Sequence, residues 1–331
     1  MKRVAIIFTG GTIGMIREKQ TNVPCNDPDM LLSIIPEINQ IAEIGWVNLF
    51  NTDSCMIGID QWNSIAYKIY ELYAGYDGFV IMHGTDTMVY TATALSFIMK
   101  NLNKPIIFTG SQKPLSERRN DARNNIINSI EFAASGIRET AVCFSNELLR
   151  ANRTAKASSI RYDAFVSPNF PALAIIGIDI EWSSLVRKAH KKQKEPLFID
   201  NIRLSNIPIL KVHPNFDRRF LDNILSMELD GIIIEAFGSG TLPNYGGMFS
   251  DFIAELSKRN IPSVLTSQCI HGTINPVSYE TGRQAVESGA INGRNITTEA
   301  AYVKLQYILS HYNHLDTIKK IFYEDIAGET D

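Results

Sequence analysis

Three kinds of side chain in this sequence could together perform nucleophilic chemistry. Thr12 follows two glycines in the stretch FTGGTIG, and Thr85 and Asp86 lie side by side in HGTDT. A threonine hydroxyl is a poor nucleophile unless a base or a hydrogen-bond network accepts its proton, and Asp86 and Lys156 are the candidates. A neutral lysine can serve as the base if burial lowers its pKa, whereas an adjacent carboxylate raises that pKa. A relay through these groups would therefore need a proton to move as the substrate binds.

The glycine-rich first turn could instead hold a phosphate, but its sequence argues against that use. It lacks the GxGxxG spacing of a dinucleotide site and the Gly-Lys-Ser/Thr ending of a P-loop. Its glycines permit close backbone approach and unusual φ/ψ angles, so they could hold Thr12 exposed at the edge of a sheet. A threonine after a strand is also a common cap or turn residue. The residues alone therefore leave the catalytic and the structural interpretations open.

The loops that carry these residues follow short apolar runs, which are typical of buried strands. Such runs occupy residues 4–8, 79–82, 105–109, 141–145, 207–212, 231–237 and 261–266. Segments with helical apolar spacing alternate with them, at residues 60–73, 88–100, 120–134, 217–228 and 248–258. This alternation predicts parallel sheets that are covered on both faces. Ligands bind at the carboxyl ends of the strands of such sheets, where the candidate residues lie.

The strand–helix alternation also predicts the domain organisation. It weakens between residues 183 and 206, where charged and turn residues dominate, and it restarts at Ile207. We therefore predict an α/β fold with a larger N-terminal catalytic domain over residues 1–185, a linker over 186–206 and a smaller C-terminal domain over 207–331. Each domain is expected to have a mainly parallel sheet flanked by helices.

Composition excludes several classes of function. Hydrophobic residues make up 45% of the 331 residues and the net charge is −3, so no large basic surface for nucleic acid or an acidic membrane is expected. The four cysteines show no CxxC spacing, and the histidines do not cluster with acids or cysteines as metal ligands do. Only five apolar residues follow Lys2 and Arg3, which is too short for a signal peptide, and no stretch has membrane-spanning length. A cytoplasmic protein is expected.

Two of the glycine-containing segments, taken together, resemble the signatures of the asparaginase/glutaminase family. They are FTGGTIG and GFVIMHGTDTM, and they occur in the family's order and spacing. The resemblance continues along nearly the whole chain, through TGSQKPL, NRTAKA, FGSGTLP and SQCIHGTI. The absent leader, together with the NRTAKA and SQC segments, resembles the cytoplasmic, type I branch of the family.

The resemblance implies an amidohydrolase with two α/β domains. It implies hydrolysis of the side-chain amide of L-asparagine to L-aspartate and ammonia, with no metal and no cofactor. Thr12 matches the threonine that attacks the amide carbon and forms an acyl-enzyme. Thr85, Asp86 and Lys156 match a hydrogen-bonded set on the other side of the substrate, and which threonine attacks first stays open.

The resemblance also implies how the amino acid is held. Asp53 and Ser54, with Cys55 alongside, match the loop that binds the substrate's α-amino and α-carboxylate groups. The chemistry agrees, because a zwitterion needs acids such as Asp53 and Asp86 for its ammonium, and donors such as Ser54 and backbone N–H groups for its carboxylate. The amide oxygen becomes an oxyanion, which the Thr85 N–H could stabilise.

Three positions depart from the family's pattern. The family's first loop carries a tyrosine whose phenol contacts the nucleophile, and that position corresponds here to Asn22. The asparagine that reaches into a neighbouring subunit's site is replaced by Thr241. The Ser-Asp-Gly before the long helix is here Asn120-Asp121-Ala122, and we expect Asn120 or Asp121 to cap that helix.

The interpretation that follows is a cytoplasmic L-asparaginase that forms a homodimer or a dimer of dimers. A related amidase, either a glutaminase or an amidotransferase subunit, is the alternative enzyme. A non-catalytic amino-acid sensor on the same fold is the alternative outside enzymes, since the tyrosine is missing.

Overall fold

The protein forms two compact α/β units. A computed structural model describes residues 1–18, 21–24, 34–190 and 195–330, with the backbone alone described at 16–18 and 21–24. The units are Met1–Asp200 and Asn201–Asp331, which confirms the predicted pair of a larger N-terminal and a smaller C-terminal α/β domain. The limits of the linker at 186–206 stay a prediction. Among the described residues, no helix has the length and apolar character needed to cross a lipid bilayer.

The first unit is built on an eight-stranded mixed sheet. In spatial order its strands are β13 (Ile180–Trp182), β12 (Ala174–Ile176), β9 (Glu147–Arg150), β8 (Thr140–Phe144), β7 (Ile106–Thr109), β5 (Gly78–Met82), β1 (Lys2–Phe8) and β4 (Ala42–Asn48). Neighbours from β8 to β4 are parallel, and β9, β12 and β13 pair in antiparallel fashion. The mainly parallel sheet that the sequence predicts is therefore present, with an antiparallel edge.

Two-stranded pairs and further helices are also present among the described residues of the first unit. The pairs are β2 (Met15–Glu18) with β3 (Thr21–Pro24), β6 (Met99–Lys100) with β14 (Phe198–Ile199), and β10 (Ala155–Lys156) with β11 (Phe165–Val166). The helices are α1 (Ile38–Ile41), α2 (Ile59–Leu72), α3 (Met88–Ile98) and α4 (Ala122–Ala134).

The central strands are apolar on both faces, because helices cover the sheet from both sides. Ile6 and Phe8 of β1 belong to one buried cluster with Ile126 and Ile130 of α4. Successive side chains of a strand point to opposite faces, so Ile7 lies on the other face, where it is also fully buried. This burial explains why β1 reads as a continuous apolar run.

The second unit has a four-stranded sheet in which all neighbours are parallel. Its strands, in chain and spatial order, are β15 (Ile209–Lys211), β16 (Ile232–Ala236), β17 (Ser263–Ser267) and β18 (Ile291–Asn292). Its helices are α5 (Arg218–Leu225), α6 (Met248–Lys258), α7 (Glu280–Glu287), α8 (Thr298–Leu309) and α9 (Leu315–Phe322).

A buried ion pair fastens the C-terminal segment to α8 in the second unit. Lys304 Nζ lies 2.5 Å from Glu329 Oε1, and both side chains are fully buried. The Lys304 ammonium also donates to the carbonyl oxygen of Glu324 at 2.6 Å, while Glu329 accepts from the N–H groups of Ile326 and Ala327. Burial acts to raise the pKa of Glu329, but the Lys304 charge and these N–H groups hold it below its ordinary value.

We expect Glu329→Gln to lower the free energy of unfolding by about 3–5 kcal/mol near neutral pH, because it leaves the Lys304 charge buried without its counter-ion. A carboxyl whose pKa is lowered by folding stabilises the protein above its unfolded pKa, so wild type should lose this contribution as the pH falls below the ordinary value of 4.5. Urea unfolding at several pH values measures both effects. The matched control is Glu280→Gln, which removes an exposed partner of Arg283 and should cost about 0–1 kcal/mol. Equal losses in the two variants would contradict the prediction.

The parallel half of the first sheet brings the candidate loops to one edge. β1, β4, β5 and β7 all end there, and each is followed by a loop. Backbone bonds link the first residues of these loops: Leu49 N donates to Phe8 O at 3.0 Å, Thr9 N to Met82 O at 3.0 Å, and His83 N to Thr109 O at 2.9 Å.

Candidate active site

The turn after β1 holds Thr12 against the loop after β5. Gly11 has φ 89°, which an L side chain rarely adopts, and Thr12 begins a 3-10 turn over Thr12–Gly14. A Cβ on Gly11 would lie 2.5 Å from both N and Cα of Gly84, so any side chain there would separate the two loops. The two signature segments of the sequence are therefore in direct backbone contact, with Thr12 half-buried beside the Gly84–Thr85 segment.

The loop after β4 packs on the same segment. The Asp53 carboxylate accepts a hydrogen bond from Cys55 N at 3.1 Å and so caps the 3-10 turn Ser54–Met56. Ser54 is buried, and its carbonyl oxygen accepts from Thr87 Oγ1 at 2.6 Å. A Cβ on Gly84 would come within 2.6 Å of Ser54 Oγ, so only a glycine permits this approach.

Thr85, Asp86 and Lys156 are brought into one hydrogen-bonded set. Lys156 Nζ donates to Thr85 Oγ1 at 2.8 Å and to Asp86 Oδ1 at 2.6 Å. The Lys156 side chain is 19% exposed and that of Asp86 is 68% exposed, so the set opens to solvent at the carboxylate. The arrangement can orient the Thr85 hydroxyl and hand a proton between a hydroxyl and the lysine nitrogen.

Lys156 reaches this position from a short, well-anchored strand. The 3-10 turn Ala151–Arg153 precedes it, and Thr93 Oγ1 of α3 donates to the carbonyl oxygen of Ala151 at 3.3 Å. In β10, Lys156 pairs with Phe165 of β11. The lysine is therefore held by both a helix and a strand partner, 70 residues from Asp86 in sequence.

Cys55 is exposed in the loop after β4, next to Ser54. A hydrogen bond from its thiol to the Asp53 carboxylate, together with slight desolvation and the charges of Asp53 and Asp86, raises the pKa of Cys55 above its ordinary value. The raised pKa keeps the Cys55 side chain mainly as the neutral thiol at neutral pH.

Polar groups of α4 and its N-terminus support the loop after β7, and sequence patterns did not predict them. The Asp121 carboxylate accepts from the backbone N–H groups of Gln112 and Lys113, at 2.9 and 3.1 Å. Asn125 Nδ2 donates to Gly110 O at 2.9 Å. Their only sequence signal is that two polar residues, four positions apart, lie on the buried face of a helix. The expected cap is made by Asn120, whose Oδ1 accepts from the N–H of Arg123 at 3.2 Å.

At two of the three positions that differ from the family's pattern, the expected effect stays a prediction. The backbone of Asn22 pairs with Arg17 between β3 and β2, but its side chain lies outside the described residues. Thr241 lies in the second unit, where its N–H donates to Phe237 O at 3.2 Å. Its contact with a neighbouring subunit stays an expectation from the resemblance. In the described ranges, no group of three or more His, Cys, Asp or Glu side chains could hold a metal ion.

The chain is similar to known proteins along its whole length. L-asparaginase 1 of Escherichia coli (strain K12) is 36% identical over 333 residues, which cover 99% of this chain and 98% of that protein. The crystal structure of L-asparaginase I from Vibrio cholerae O1 biovar eltor matches with a TM-score of 0.90 at 33% identity, covering 100% of this chain and 99% of that one. The thermostable L-asparaginase from Thermococcus kodakarensis matches with a TM-score of 0.89 at 30% identity, covering 99% of both chains.

Family matches divide along the same lines as the two units. Residues 3–187 match the family described as Asparaginase, N-terminal, and residues 206–322 match the Glutaminase/Asparaginase C-terminal domain. The loops that meet at Gly11 and Gly84, and the set of Thr85, Asp86 and Lys156, lie within the first of these matches. The chain therefore belongs to the asparaginase/glutaminase family.

Proposed function

We propose that this protein is a cytoplasmic L-asparaginase that hydrolyses the side-chain amide of L-asparagine to L-aspartate and ammonia. The observation that carries the proposal is the hydrogen-bonded set of Thr85, Asp86 and Lys156 beside the turn of Thr12. Attack of a hydroxyl on an amide needs a group that accepts the hydroxyl proton, and we assign that role to this set. Full-length similarity to a protein named L-asparaginase 1 supports the same reaction.

In the proposed reaction the Thr12 hydroxyl forms a bond to the amide carbon and gives its proton to the network. The amide oxygen becomes an oxyanion beside the Thr85 N–H, and one such donor is worth about 2.7–4 kcal/mol in the transition state. Cleavage of the C–N bond then releases the nitrogen as ammonia, which takes up a proton from the network. Water hydrolyses the remaining ester, which releases L-aspartate and restores the Thr12 hydroxyl.

Recognition of the substrate in this proposal depends on the loop after β4. The exposed Asp53 and Asp86 are the acids available to the α-ammonium group, and the Ser54 hydroxyl is available to the α-carboxylate. Charge-assisted hydrogen bonds of this kind are about twice as strong as neutral ones. Because Gly84 packs directly on Ser54, the distance between these groups and Thr85 is fixed.

We expect kcat/KM for asparagine to exceed that for glutamine by about 10²-fold, because one added methylene displaces the amide carbon by roughly 1 Å from the reacting groups. Ammonia release from the two amides, measured with one enzyme preparation, tests both the function and the specificity. Similar rates on both amides would identify a glutaminase-type enzyme instead. Binding of asparagine by calorimetry without release of ammonia would identify a sensor.

We further propose that the enzyme works as a homodimer or a dimer of dimers. The support is the match of Thr241 to a family position that reaches into a neighbouring subunit's site. A single monomeric species in sedimentation velocity at micromolar concentration would contradict the oligomer.

The three described cysteines, Cys55, Cys143 and Cys269, are free thiols, as expected for a protein of a reducing compartment.

A further inference from the structure

His83 lies at the end of β5, immediately before the Gly84–Thr85 segment of the site. Its side chain is fully buried, and its ring centroid lies 6.1 Å from that of Phe108. Its backbone N–H is already used in the sheet, where it donates to Thr109 O at 2.9 Å. The imidazole ring is therefore buried in the core next to Phe108.

The hydrogen bond of the ring defines its tautomer. Nδ1 lies 2.7 Å from the carbonyl oxygen of Gly84. A carbonyl oxygen can only accept, so the proton must be on Nδ1. Nε2 is buried and has no hydrogen-bond partner among the described residues. Burial lowers the pKa of His83 to about 4, so the ring is neutral at the pH of the cytoplasm.

Burying an imidazole ring with one nitrogen that makes no hydrogen bond costs free energy. An apolar residue of similar size would fill the same space without the cost of desolvating Nε2. The feature that only the imidazole provides here is the Nδ1–H bond to Gly84 O. That bond restricts the peptide unit between Gly84 and Thr85.

Holding the Gly84 carbonyl fixes the direction of the next N–H. The peptide unit between Gly84 and Thr85 is planar and trans, so its C=O and N–H point in opposite directions. The hydrogen bond from His83 Nδ1–H holds the Gly84 carbonyl oxygen on the side of the core. The Thr85 N–H therefore points away from the core. Among the described residues this N–H has no acceptor, so it is free to donate to a ligand.

We infer that His83 is a positioning residue, which holds the Gly84–Thr85 peptide so that the Thr85 N–H can donate to the oxyanion of the reaction. The inference rests on the proposed asparaginase function. His83 touches no reacting atom, and it acts only through the peptide that it anchors. Its effect should therefore appear in the transition state, where the oxyanion forms, more than in substrate binding.

The experiment compares three variants with wild type. His83→Leu removes the donor and keeps an apolar side chain, His83→Asn replaces Nδ1–H with an amide N–H at the same position along the side chain, and Phe108→Leu loosens the neighbouring core. We expect His83→Leu to lower kcat by about 10- to 100-fold with KM changed less than about threefold, because a misplaced oxyanion donor weakens transition-state stabilisation. His83→Asn should recover most of this loss, and Phe108→Leu should keep kcat within about threefold of wild type. Circular dichroism and urea unfolding show whether each variant is folded.

Several results would overturn the inference. Wild-type kcat in folded His83→Leu would do so, and so would equal losses in His83→Leu, His83→Asn and Phe108→Leu, which would show a packing role alone. Nitrogen-15 NMR of the wild-type imidazole tests the hydrogen bond independently of activity, and an Nε2–H tautomer would overturn the inference whatever the kinetics. If wild type released no ammonia from asparagine, the proposed function and the role toward an oxyanion would both fail, while an Nδ1–H tautomer would still show that His83 holds the peptide.

Discussion

Thr12→Ala and Thr85→Ala are each expected to lower kcat for asparagine on the order of 10⁴-fold or more, while the protein stays folded. Thr12 provides the attacking hydroxyl in the proposed reaction. Thr85 provides the hydroxyl that receives the Lys156 hydrogen bond at 2.8 Å. Members of one catalytic unit do not act additively, so the double variant should be little worse than either single variant. Ammonia release over hours at high enzyme concentration measures such low rates.

The matched control for these variants is Thr91→Ala. Thr91 is a buried threonine in the first turns of α3, and its hydroxyl donates to the carbonyl oxygen of Thr87 at 3.4 Å. The same atoms are removed close to the site but outside the network, so activity should stay within about threefold of wild type, as for a substitution that breaks no named interaction of the site. Near-normal turnover in Thr12→Ala or Thr85→Ala, with an unchanged circular dichroism spectrum, would show that the nucleophile is misassigned.

Lys156→Met is expected to lower kcat by about 10²–10⁴-fold, the usual contribution of a positioned proton-transfer group. Methionine keeps the length and apolar stem of lysine but cannot donate to Thr85 Oγ1 or Asp86 Oδ1. The Asp86 carboxylate is mostly exposed and stays hydrated without its partner, so binding of the substrate's ammonium should persist. We therefore expect KM to change much less than kcat.

Lys68→Met is the control for the loss of a lysine charge. Lys68 lies on α2 and pairs with Glu71 at 2.5 Å on the surface. Its replacement removes the same charge from the same unit and should leave kcat within about twofold, since surface ion pairs contribute little. A kcat for Lys156→Met equal to that of Lys68→Met would exclude Lys156 from the proton path.

The sequence predicted the central strands because burial on both faces leaves a distinctive pattern. The apolar runs of β1, β5 and β7 predicted these strands, and the loops after them do lie at one edge of the first sheet. The edge strand β4 was not predicted as a strand, because its sequence AEIGWVN is only partly buried and interrupts the apolar run with a glycine. The short antiparallel strands β12 and β13 have too few residues for a periodic pattern to appear.

The residues of the candidate site also differ in how far the sequence could predict them. Residue types and loop positions made Thr12, Thr85, Asp86 and Lys156 candidates, and their catalytic roles were implied only by the family resemblance and stay a prediction. The supporting groups were not predictable. His83, Asp121 and Asn125 act through hydrogen bonds to backbone atoms of loops, and the backbone carries no side-chain signal that a sequence pattern could match.

The central place of β1 also matters while the ribosome is making the chain. β1 is synthesised before both of its neighbours, β4 and β5, and Met82 follows Phe8 by an interval of about 4–15 s at 5–20 residues per second. During that interval an apolar strand with two open edges is exposed to other nascent chains. Lys2 and Arg3, the first two residues of β1, carry like charges that oppose such pairing. Their partners Glu43 and Asp77 arrive only with the neighbouring strands, so the charges that protect the emerging strand are neutralised when protection is no longer needed.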